Sequence, residues 1–159
     1  MINIGFGWKE NGSLAAKLSA PTIRASIRAA SHGRPISLTL WHADAIGLRV
    51  QSTMHDVGKR LEVGILEFMT VHVALEDDLD FSLPAAFQSH IEVSKLVMCE
   101  KQFTAESGFV LETSGGEKII VTAGAFPYAL AIQGIAAVPH TFEPEYPLES
   151  YTVKTFAVL

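Results

Sequence analysis

A chain of 159 residues, 48% hydrophobic and 18% charged, is too apolar for disorder and can bury roughly two-thirds of its unfolded surface as one domain, residues 1–159, without disulfide or metal staples. The single cysteine, Cys99, excludes an internal disulfide framework and has no partner for a C-x-x-C motif. A net charge of −5 opposes non-specific attraction to nucleic acid or an anionic membrane.

Ile2, Ile4, Phe6 and Trp8 alternate with smaller or polar residues, and Asn11-Gly12 follows as a hairpin signal. Leu14, Ala16 and Leu18 are then expected to form the returning strand. In "SAPTIRASIRAASHG", Ser19 suits a cap, Pro21 a first turn and Gly33 a helix stop. Ile23, Ile27 and Ala30 share one face at helical spacing, with Arg24, Arg28 and His32 beside them, which predicts a helix.

From Pro35 the period changes to two. Ile36, Leu38 and Leu40, then Leu48 and Val50, then Leu61, Val63 and Ile65 alternate with more polar residues, giving three strands joined by "ADAIG" and "HDVGK" in antiparallel hairpins. The phase slips at Ile65-Leu66, which implies either a bulge or burial on both faces. A bulge or bend is expected, because an unbroken run from Arg60 to Val73 would span roughly 46 Å. The acidic run "EDDLD" lacks the glycine and distal glutamate of a calcium loop and reads as solvated loop. A short helix after Pro84 and a strand from about Ile91 to Glu100 follow.

"SGFVLETSGGEKIIVTAG" poses the question of a phosphate-cradling loop. A P-loop needs G-x-x-x-x-G-K-[ST] between strand and helix, whereas Gly115-Gly116-Glu117-Lys118 leads into the β-branched "KIIVTAG". A hairpin turning over Ser114–Glu117 is therefore predicted. Four prolines between Pro127 and Pro147 limit regular structure near the C-terminus, and "YTVKTFAVL" is expected to close a sheet. The fold class is α+β: a mainly antiparallel sheet, sandwich or partly open barrel, with one or two short helices.

The stretch from Glu106 to Ile132, "ESGFVLETSGGEKIIVTAGAFPYALAI", resembles a pattern in small bacterial proteins of uncharacterised function, with an E-S-G lead-in, a hairpin and a G-x-F-P step. That resemblance implies a β-rich bacterial domain and brings no activity or catalytic residue.

Six histidines, His32, His42, His55, His72, His90 and His140, raise the question of a metal. His42 with Asp44, and His55 with Asp56, are His-acid pairs, but the hairpins separate them by about 23 Å, too far for ligands of one ion. No metal and no cofactor are expected. Glu67 falls in phase with Val63 and Ile65 and is a candidate inward carboxylate, unless the bulge turns it out. Cys99 is expected as a small buried hydrophobe, and Trp8, Trp41 and Phe68 as core.

Charge is uneven: Lys9, Lys17, Arg24, Arg28 and Arg34 lie within one short segment, while Glu62 to Asp80 holds six acids and no Lys or Arg. No motif assigns a reaction. The expectation is a non-enzymatic binding or protein-interaction domain using Arg24, Arg28 and His32 toward a protein partner or a second copy. The alternative is a small hydrolase or isomerase drawing acid–base chemistry from His42, Asp44, His55 and Glu67. With no apolar span and no basic-then-apolar leader, a cytoplasmic setting away from nucleic acid and membrane is expected.

Overall fold

In the computed structural model, residues 1–75, 77–135 and 141–156 are described. Among them run β1 (Ile2–Ile4), a one-turn helix α1 (Leu14–Leu18), and the strands β2 (Thr22–Ala29), β3 (Pro35–His42), β4 (Gly47–Asp56), β5 (Glu62–Val71) and β6 (Leu79–Ser82). Next come β7 (Ile91–Cys99), β8 (Phe103–Thr113), β9 (Lys118–Ala123), β10 (Leu130–Gln133) and β11 (Thr152–Thr155). Short 3-10 turns cover Ala85–Gln88 and Leu148–Ser150. No helix among the described residues is long and apolar enough to cross a membrane.

The strands form two mainly antiparallel sheets. One runs in the order β5-β4-β3-β2-β6, the other β10-β9-β8-β7-β11, with β1 parallel to β8. Alternating residues of both sheets meet in a single apolar cluster: Ile27, Leu40, Val50 and Phe68 from the first, Phe109, Leu111, Val121 and Ile132 from the second. A smaller cluster gathers Val63 and Ile65 of β5 with Leu96, Met98, Phe103 and Tyr151.

The N-terminal segment joins the sheets. Ile2, Asn3 and Ile4 pair with Phe103, Thr104 and Ala105, and a few residues on Gly7 pairs with β5, its N–H donating to Leu66 O at 3.0 Å and its carbonyl accepting from Phe68 N at 2.8 Å.

Three elements, β2, α1 and β6, differ from the sequence expectation. The predicted helix over Ser19–Gly33 is strand β2, paired with β3 and β6. Residues four apart share a face in a strand as well as a helix, because four is a multiple of two; the β-branched Thr22, Ile23 and Ile27 then favour the strand. A one-residue bulge at Ile23 leaves that side chain partly exposed. The expected strand at Leu14, Ala16 and Leu18 is α1, because Ser13 caps it by accepting from Ala16 N at 3.2 Å and Ser19 closes its C-terminus. Leu14 and Leu18, one turn apart, bury together.

At Ile65-Leu66 there is no bulge. Register with β4 is continuous from Glu62 to Val71, and Val63, Gly64, Ile65 and Leu66 are all buried, so this half of β5 is covered on both faces. The segment after Asp78, read as loop, forms β6 because β2 offers it a free edge. Cys99 is exposed, contrary to its expected burial, since it stands at the end of β7. The hairpin over Ser114–Glu117 is as predicted: Thr113 N donates to Glu117 O at 2.9 Å, and Gly116 takes a φ of 87°.

Candidate functional site

The face of the β5-β4-β3-β2-β6 sheet turned away from the larger cluster carries Arg24, Ser26, Thr39, Trp41, Arg49, Gln51, Glu67 and Met69, in accord with the two-residue period. Small and polar residues here do not pack against the second sheet, and they bond to one another instead. Trp41 Nε1 donates to Ser26 Oγ at 2.8 Å, and Ser26 donates in turn to Asp80 of β6. The Arg24 guanidinium lies 4.6 Å from the Trp41 ring centroid and 3.0 Å from Asp80 Oδ1. Gly47, opposite Trp41, makes room for the indole: a Cβ there would stand 3.0 Å from two ring carbons.

Arg49 is the centre of this face. Its side chain is only 9% exposed; Nε donates to buried Thr39 Oγ1 at 3.2 Å, and Nη2 stands 3.9 Å from Asp78 Oδ2. That distance is beyond a hydrogen bond. Among the described residues, buried Arg49 Nη2 and Asp78 Oδ1 both lack a hydrogen-bond partner.

Beside Arg49 the face opens into a groove of about 490 Å³. Arg49, Gln51, Glu67 and Met69 form its floor, and Gly7, Lys9 and Glu10 its wall. The groove exists because β5 changes surroundings along one face: Val63 and Ile65 are buried in the smaller cluster, while Glu67 and Met69, on the same side, are exposed. Gly7 packs directly on Glu67, where a Cβ would lie 2.6 Å from its Cγ. The wall is pinned by Glu10, whose carboxylate accepts from Thr70 N; hydrogen bonding from the Thr70 side chain and then from its backbone holds the Glu10 pKa below the usual value.

A second concavity of about 510 Å³ lies between α1 and the β3–β4 turn, lined by Ser13, Lys17, Pro21, His42 and Asp44. His42 is 6% exposed and its Nε2 has no hydrogen-bond partner among the described residues. Burial pushes its pKa down, against a weaker upward pull from Asp44, so the ring is neutral at neutral pH. Asp44 is occupied locally, accepting from Ile46 N at 3.0 Å.

The four acid–base candidates therefore occupy three places. His42 and Asp44 share the second concavity, Glu67 lies in the groove, and His55 sits near the far end of β4, eight residues or about 26 Å along the strand from Gly47. Arg24 and Arg28, the expected contacts to a partner, pair within the chain with Asp80 and with Asp77, the latter at 3.4 Å, and keep more than a third of each side chain exposed. His32 lies in the β2–β3 turn, where Nδ1 accepts from Arg34 N at 3.1 Å. His140 lies outside the described residues, and among the rest no three His, Cys, Asp or Glu side chains converge as a metal site. Arg49 and Asp78 were not singled out by sequence: one is the polar member of an ordinary alternation and the other one of several acids, and only the strand order brings them together.

No protein-family model matches the chain, and neither a curated protein nor a solved structure is significantly similar to it.

Proposed function

We propose that this chain is a non-enzymatic binding domain whose ligand site is the groove over Arg49, Glu67 and Met69. The observation that carries this reading is the groove itself, a concavity on the sheet face whose lining sets the Arg49 cation, the exposed Glu67 carboxylate and half-exposed Met69 together. The groove volume falls within the range typical of small-molecule sites. Acid–base turnover by His42, Asp44, His55 and Glu67 has no shared centre to draw on, which weighs against the hydrolase or isomerase alternative.

In this reading the two sheets are a sandwich across the larger apolar cluster, α1 is a minor addition to it, and the domain works in the cytoplasm of a bacterium. Native mass spectrometry of protein purified from the cells that make it tests the assignment. A small-molecule adduct is expected on the native chain and should vanish in Met69→Trp, which fills the groove with an indole. An unliganded mass would sink the assignment, and a second protein chain or a multimer in its place would direct attention to a macromolecular partner.

A further inference from the structure

We infer that the exposed Phe126-Pro127-Tyr128 turn is a knob by which one copy of this chain docks, head to tail, into the concavity between α1 and the β3–β4 turn of the next copy. Phe126 to Ala129 closes as a β-turn, with Ala129 N donating to Phe126 O at 3.0 Å. Pro127 takes the second position and Tyr128 the third, where its φ is 64°. Glycine is the usual residue at such a position, and a bulky side chain there costs stability. Tyr128 is 60% exposed, so packing within the chain does not offset that cost.

The knob is held firmly. Gly124 N donates to Ala129 O at 2.7 Å and Ala125 N to Glu143 O at 2.9 Å, which fixes the stems of the turn. The Arg34 guanidinium stacks on the Phe126 ring, its carbon 3.5 Å from the centroid. Tyrosine on a rigid turn gives up little freedom on binding and anchors protein contacts well. With Phe126 42% exposed and Tyr128 60%, two knobs set face to face cover only about 200 Å² per copy, against roughly 800 Å² in a stable interface. A concave site encloses the rings and brings the surfaces around them into contact as well.

The chain offers such a site at its other end. β3 begins directly after Arg34 and runs eight residues, about 26 Å, to His42. Beyond it the concavity of about 510 Å³ has Ala16, Ala20, Pro21 and Ala43 in its walls, side chains too small to fill it. Knob and hole thus lie at opposite ends of one strand, so the contact is heterologous and each docked pair leaves one knob and one hole free. Neither end repels the other: Arg34 and Glu143 stand beside the knob, and Lys17 and Asp44 at the hole, one charge of each sign.

Sedimentation velocity tests the arrangement. The native chain should sediment faster as its concentration rises toward about 1 mM, the range of a small contact. Tyr128→Gly, which relieves the backbone, should stay monomeric and melt no lower than the native chain. Ala16→Trp, at an exposed position in the hole, should stay monomeric and folded as well. Mixed in equal amounts, the two variants keep one working knob and one working hole between them and should form a dimer and nothing larger. A native chain that is monomeric throughout overturns the inference, as does self-association of either variant or a mixture without a dimer. Neither substitution touches the groove, so the adduct that depends on Met69 stands or falls separately.

Discussion

Glu145 places both carboxylate oxygens against one backbone donor, Gly64 N, at 3.1 and 3.0 Å. Burial raises its pKa, and the Gly64 hydrogen bond only partly opposes the rise. Its folded pKa thus lies above the unfolded value near 4.5, so this group favours folding most below that value, and the advantage is lost as pH rises through the folded pKa. Glu145→Gln removes the titration and keeps an acceptor for Gly64. The difference in melting temperature between variant and native chain should grow in the variant's favour as pH is raised from about 4.5 toward neutrality; a constant difference would mean that the carboxylate is not desolvated. Tyr151, whose pKa burial lifts to about 12, lies in the same region, with its hydroxyl accepting from Tyr146 N at 3.3 Å.

At the level of elements, Glu106-Ser107-Gly108 acquires a physical meaning. Leu96 pairs with Gly108 and Val97 with Glu106, so Ser107 is the extra residue of a bulge in β8. It is fully buried and donates to Gly64 O at 2.6 Å, tying the second sheet to β5. Glu106 accepts from Phe6 N at 2.8 Å and pairs with Lys95, which secures the N-terminal segment. Gly108 must be bare, since a Cβ would come 2.7 Å from Val121 O and 2.9 Å from Thr122 Cγ2. Gly108→Ala should cost about 1–3 kcal/mol, the usual penalty of overpacking, read as a lower denaturation midpoint with an unchanged slope. The Glu106-Ser107-Gly108 triplet is therefore a joint between sheets.

The hairpins from Pro35 to Ile65 and the one over Ser114–Glu117 were legible in the sequence because their turns are short and their apolar residues alternate. The residues from Ser13 to Ala29 were not. A spacing of four serves helix and strand alike, and what decides is whether the neighbouring strand has an edge to offer, a fact about Trp41 and Phe81 and not about Ile23 or Ile27. Of the candidate site, Glu67 was legible through its phase, whereas its exposure depends on where the smaller cluster stops covering β5.

Across the whole molecule, the basic and acidic segments seen in the sequence meet where β2 pairs with β6. Arg24 and Arg28 on β2 meet Asp80 in β6 and Asp77 just before it, so these charges help hold an edge strand in place. These side chains are well exposed, and each pair is worth only about 0.2–1 kcal/mol. Arg24→Glu with Arg28→Glu should lower stability by about 1–2 kcal/mol at low salt, less at high salt. Amide exchange should quicken at Asp80 and Phe81 but not at Val50 or Leu66; uniform quickening would show that β6 does not open separately.

The bridge made by the N-terminal segment also sets an order in time. Strands β2 to β5 are sequence neighbours and can pair as they leave the ribosome, but Ile2 waits for Phe103, and Phe6 for Glu106, a hundred residues later. Pairings this distant form slowly because so much chain must first be closed into a loop. Residues synthesised early are thus secured late, and until then the Gly7 wall of the groove has nothing to anchor its upstream side. A nascent chain carries the floor of the groove well before it carries the groove.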